Sequence, residues 1–110
     1  MPNDCNNYLT ITSTHETDIE NILEEINAEI PNVVVKQKTK LGIKLYYTTA
    51  WVPNIDFIKQ LIDKYPLLWL KNDWIVEDGT AGILIGNKDE FKSFDWFDLS
   101  IEAEYFHFHN

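Results

Sequence analysis

One cysteine, three histidines and eighteen carboxylates are the groups in this 110-residue chain that could do chemistry. Cys5 acts as a nucleophile only if a base lies close and its pKa is lowered. No basic residue flanks it in the opening "MPNDCNNYLT", and the nearest histidine in sequence is His15. A part-buried structural thiol is the expected state. His107 and His109 stand two apart beside Glu102 and Glu104. In a strand both imidazoles would point one way and could share a metal with a carboxylate. A frayed terminus preorganises such a site poorly, so adventitious binding is expected rather than a functional metal centre. No acid, base and nucleophile set converges, and the expectation is a non-enzymatic protein without a cofactor.

Aromatic residues offer a second kind of site. Trp51, in Ala50-Trp51-Val52-Pro53, could wall a pocket with Trp69 and Trp74. The reading preferred here is that Trp51 plugs the core where a strand meets a helix, with Pro53 fixing the entry angle. Tyr8, Lys36, Lys38, Lys44 and Tyr46 imitate a single-strand RNA platform, in which aromatics stack bases and lysines hold phosphate. Against it stand the absence of arginine, the net charge of −9 and the lack of an RNP-like Lys-Gly-Phe-Gly-Phe run. Lysines also commonly protect an exposed strand. Single-strand RNA binding is therefore a third reading.

The acids are the stronger lead. Glu16, Asp18, Glu20, Glu24, Glu25 and Glu29 crowd one segment without a base, and Asp89, Glu90, Asp95, Asp98, Glu102 and Glu104 crowd the tail. Like charges four apart destabilise a helix by a few tenths of a kcal/mol per pair. Accepting that cost suggests a basic protein partner, or a surface imitating a nucleic-acid backbone. Glu16, Glu20, Glu24, Asp95, Trp96, Asp98, Glu102 and Glu104 are the candidate contacts, the tryptophan serving as an anchor. A charge of −9 repels nucleic acid and anionic membranes at long range. The alternative reading is a virion or scaffold component that self-associates through strand edges, its aromatic tail forming the seam.

The elements that must position these groups follow from periodicity. "NNYLTITST" alternates as a half-buried strand, with Leu9 and Ile11 on one face. Thr17 and Glu20 match a capping box, so a helix is expected from near Thr17 to Pro31, with a stripe of Ile19, Ile22, Leu23, Ile26 and Ile30. A hairpin turns near Lys40–Gly42, with Val34, Lys36, Lys38 and Lys40 sharing one face. Asn54 is the expected N-cap of a second helix, which buries Ile58, Leu61, Ile62 and Tyr65 and stops at Pro66. Two strands joined at Asp78-Gly79 follow, and the tail suits one more. The order reads as α+β, a ferredoxin-like β-α-β-β-α-β with one or two additional C-terminal strands. Both helices are expected on one face of an antiparallel sheet, as a single domain over residues 1–110 with an acidic extension from about residue 89. No apolar segment approaches the roughly 20 residues that cross a bilayer. The opening residues lack the basic start and apolar run of a signal peptide. A lone cysteine fits a reducing compartment, so the cytoplasm is the expected location.

The chain resembles the YubB ferredoxin-like domain family of phage, plasmid and other mobile-element proteins. That family often opens Met-Pro-Asn-x-Cys-x-Asn-x-Leu, as "MPNDCNNYL" does here. It often carries Thr-x-Trp-x-Pro-Pro before a helix ending in Tyr-Pro, then a strand and a glycine-containing turn. Thr49, Trp51, Pro53, Tyr65, Pro66, Gly79 and Gly82 are the parallel residues. The likeness spans most of residues 1–90. It departs at Asp4, where a tryptophan is common, at Val52 in place of a proline, and in the tail from Ser93. What it implies is a fold and a viral or mobile-element setting, hence the cytoplasm of a host cell. It implies no activity and no catalytic residues.

Overall fold

Alternation in DCNNYLTITS produces β1 (Asp4–Ser13), which turns Cys5, Asn7, Leu9, Ile11 and Ser13 to one side. In the computed structural model, which describes residues 3–77 and 79–95, seven elements follow. They are α1 (Glu16–Glu29), β2 (Val34–Lys38), β3 (Gly42–Ala50), α2 (Ile55–Lys64), β4 (Leu68–Val76), β5 (Ala81–Gly86) and β6 (Phe91–Asp95). The six strands form one antiparallel sheet in the order β2-β3-β1-β4-β5-β6. This is an α+β architecture, compatible with a ferredoxin-like class.

Both helices bury their stripes against the same set of strand residues. Ile19, Ile22 and Ile26 of α1 and Ile58, Leu61 and Ile62 of α2 join Leu9, Ile11, Leu45, Tyr47, Leu68 and Leu70 in one cluster. Each of these aliphatic side chains contributes about 1.5–3 kcal/mol by leaving water. Among the described residues, the opposite side of the sheet carries no helix, and the alternate residues of the strands face outward there.

Two local expectations are corrected, and one, the N-cap at Asn54, holds without the side-chain bond that usually goes with it. First, α1 begins at Glu16 with His15 at the N-cap, and no side chain caps it. The last β1 residue does the ordering instead: Ser13 Oγ accepts from the His15 N–H at 3.1 Å and donates to Asp18 Oδ2 at 3.0 Å. Thr17 is thereby drawn into the helix. Asn54 occupies the N-cap of α2 without a capping bond, because its Oδ1 accepts from the Tyr47 hydroxyl at 2.6 Å. Second, β2 is not an unbroken strand. Its pairing with β3 slips between Val35 and Gln37, and this bulge resets the alternation. Lys36 stays on the open side, over the Tyr46 ring. Lys38 turns to the helical side and pairs with Glu20 of α1 at 2.5 Å. The four residues read as sharing one face are therefore divided.

Of the expected join at Asp78-Gly79, Gly79 lies between β4 and β5 at φ 95° with its N–H on Val76 O at 2.9 Å, and Asp78 lies outside the described residues. The expected tail strand overlaps β6 at Phe94 and Asp95, and the rest of it lies outside the described residues. The loop before β6 is held by Asn87, whose Oδ1 accepts from the N–H groups of Asp89 and Glu90 at 3.0 and 2.9 Å.

Candidate functional site

The acidic ridge of α1 is assembled by helical spacing alone. Glu16, Glu20 and Glu24 fall on successive turns of its exposed flank. Two carboxylates of the helix find cations within the molecule. Glu20 meets Lys38, and Glu25 accepts from Lys64 Nζ at 2.8 Å and from the Tyr65 hydroxyl. The Lys64 hydrogen bond, then that of Tyr65, holds the Glu25 carboxyl below its usual range. Burial, reinforced by Glu25, pushes the Tyr65 phenol up to about 12. The like-charge cost along α1 is thus partly offset by α2 and β2. Asp95 lies on β6 opposite Gly82. Trp96, Asp98, Glu102 and Glu104, with the His107/His109 pair, lie outside the described residues.

The three tryptophans do not converge. Trp51 is 53% exposed and adopts φ 69°, a conformation costly for a bulky residue. It is held there by its N–H on Asn3 O at 2.9 Å, while Thr49 Oγ1 donates to Val52 O at 2.6 Å. The expected core plug is therefore an exposed corner, and Tyr47 fills the core nearby. Trp69 faces the open side of the sheet. Trp74 lies on the helical side against Gly82, where an added Cβ would sit 2.5 Å from the indole.

Sequence reasoning missed a polar network inside the core. Asn7 and Asn72, both fully buried, are joined across β1 and β4 by Asn72 Nδ2 donating to Asn7 Oδ1 at 3.0 Å. Asn7 Nδ2 is shared among Cys5 O, Tyr47 O and Thr49 Oγ1 at 3.1, 3.3 and 3.0 Å. Their inward parity on alternating strands was the available signal. Cys5 belongs to this network, and burial pushes its thiol up, against a smaller lowering by Thr49. That is the environment of an inert thiol. Among the described residues, no three metal-ligating side chains converge, and no helix is long and apolar enough to cross a membrane.

The open side of the sheet has a regular pattern that strand register makes explicit. One row across the strands reads Gln37, Lys44, Thr10, Lys71, Ile85, Lys92; the next, one pleat away, reads Val34, Tyr46, Tyr8, Asp73, Ile83, Phe94. Tyr8 and Tyr46 are directly opposed, their ring centroids 5.2 Å apart and tilted by 45°. The Tyr46 hydroxyl donates to Asn6 Oδ1 at 2.6 Å, which fixes that ring. Lys36 Nζ stands 5.8 Å from the Tyr46 centroid. Of the expected platform, Tyr8, Lys36, Lys44 and Tyr46 come together here, and Lys38 does not. Lys71 is 3.6 Å from Asp73, and Lys92 is 3.0 Å from Glu90. No family model, no curated protein and no solved structure matches the chain.

Proposed function

We propose that the protein is a small, non-enzymatic accessory protein that acts by binding a basic protein partner through α1. The observation that carries this reading is the exposed ridge of Glu16, Glu20 and Glu24 on a helix with no basic residue. A groove that normally holds nucleic acid presents the complementary charge, and occupying it would block a host nucleic-acid-handling or defence complex. The buried, protonated state of Cys5 supports a non-enzymatic role. The resemblance of the opening and the Thr49–Pro66 region to YubB-like proteins supports a phage or mobile-element setting and the host cytoplasm. It also supports classing the fold as ferredoxin-like with β5 and β6 appended.

The test is capture of partners from cells of the natural host, followed by salt titration. Affinity for a basic partner should fall steeply with salt, and a Glu16→Gln/Glu20→Gln/Glu24→Gln variant should bind at least about tenfold more weakly. Binding unchanged by those three substitutions sinks the reading. A second reading, self-association, is favoured by β6, an edge strand of the described sheet that carries an exposed Phe94. A monomer at micromolar concentration in sedimentation would remove it.

A further inference from the structure

We propose that the open side of the sheet binds single-stranded RNA laid across the strands, with bases on the Tyr46–Tyr8 row and phosphates along Lys44, Lys71 and Lys92. The proposal is independent of the α1 reading and uses the other side of the molecule.

Three features of that surface support it. Tyr8 is 49% exposed although it sits on a middle strand, and Tyr46 is clamped beside it by Asn6. An aromatic pair held at this position offers bases two ring faces to stack on. Next, the lysines fall into register. Lys44, Lys71 and Lys92 occupy β3, β4 and β6 in one row, each two strands from the next. At about 4.8 Å per strand the ammonium-bearing positions are roughly 10 Å apart. That row runs parallel to the aromatic row at a distance of one pleat, about 7 Å. Backbone and bases of one strand would thus meet separate, parallel tracks. Finally, Thr10 lies between Lys44 and Lys71 in the same row, and a shallow depression of about 200 Å³ lined by Thr10, Thr12, Gln37, Thr39 and Lys44 extends it toward the hairpin. Hydroxyl and amide groups beside a phosphate track are what a 2′-hydroxyl can pair with, which favours RNA over DNA.

The net charge of −9 does not cancel this local arrangement. The six carboxylates of α1 lie on the far side of the sheet, beyond a helix about 10 Å across. At physiological salt the Debye length is about 8 Å, so their repulsion is largely screened at the open face. Among the described residues, the acids on that face are Asp73, 3.6 Å from Lys71, Glu90, 3.0 Å from Lys92, and Asp4 at the end of β1; the two pairs are solvent-exposed and weak, so a phosphate can compete for both lysines. A contact to three phosphates predicts a log–log salt slope of about −2.

The experiment uses the full chain and a labelled RNA of about 12 nucleotides, read by fluorescence anisotropy. Saturable binding is expected, weakened roughly tenfold by Tyr8→Ser or Tyr46→Ser and kept by Tyr46→Phe, which retains the ring. Lys44→Gln should lower the salt slope by about 1. Glu16→Gln with Glu24→Gln should leave RNA binding intact, which separates this test from that of the α1 reading. Circular dichroism on each variant checks that the fold persists. Absence of saturable binding, or binding indifferent to the tyrosines, overturns the proposal. Equal affinity for the DNA of the same sequence overturns the assignment to RNA. Concentration-dependent self-association relieved by the same tyrosine changes would give this face to a second copy and overturn it as well.

Discussion

On the helix-covered side of the sheet, Leu9, Ile11, Leu45 and Leu70 are at most 2% exposed, while the same strands turn Tyr8, Trp69 and Ile75 outward with 37–49% of their surface open. The two sides share one backbone and one set of ladder hydrogen bonds, so the difference lies wholly in side chains. On one side, apolar burial and the buried Asn7–Asn72 network hold the fold. On the other, large residues stand in water that an isolated domain has no thermodynamic need to put there. Charge leans the same way without dividing cleanly: α1 carries carboxylates and no base, while the open face carries Lys36, Lys44 and Lys71 beside Asp73.

That contrast can be broken by substitution. Ile22→Ala and Leu61→Ala, both in the shared core, should each cost about 3 kcal/mol in urea unfolding. Next comes Asn7→Ala, which strips the partner from Asn72 and from the β1 and β3 carbonyls and should cost about 2 kcal/mol. The Glu25 clamp between the helices is smaller. Glu25→Gln should cost about 1 kcal/mol, and the wild-type contribution should depend on pH. Glu25 has a lowered folded pKa, so its stabilisation is present above its unfolded value of about 4.3 and fades as pH falls. Tyr65 has a folded pKa raised to about 12, so its part is present below about pH 10 and is lost as pH rises further. Thermal melts should therefore show a plateau between roughly pH 5 and 10 that Glu25→Gln flattens at the acid end. Smallest of all, Tyr8→Ser and Trp69→Ser should stay within about 0.5 kcal/mol of the parent. A loss there as large as that of Ile22→Ala would mean the open face is not open in solution, and the contrast would fail.

The elements that obey a single period were legible in the residues. Leu9 and Ile11, the Ile19–Ile26 stripe and the Ile58–Ile62 stripe all land in the core, and the hairpin and both helix stops fall where Lys40–Gly42, Pro31 and Pro66 put them. What escaped has a common cause. A bulge in VVKQK inserts one residue without any change of composition, so nothing local warns that Lys38 leaves the face of Lys36. Trp51 reads as core by residue type, and only a backbone turn at positive φ carries it outward. The Lys38–Glu20 and Lys64–Glu25 pairs join residues 18 and 39 positions apart, beyond any periodic signal. For the same reason alternation points to Tyr8, Lys44 and Tyr46 but not to Lys71 and Lys92 in line with them, since register between strands is a tertiary property.

The interruption in β2 has a further effect at the sheet margin. A flat outer strand offers its spare amide and carbonyl groups to any passing chain, and a kinked one presents them out of step. Growth by strand addition is thereby discouraged at the β2 border and left, among the described strands, to the β6 border. Assembly that can proceed through only one border closes on itself after two molecules and cannot run on as a fibre.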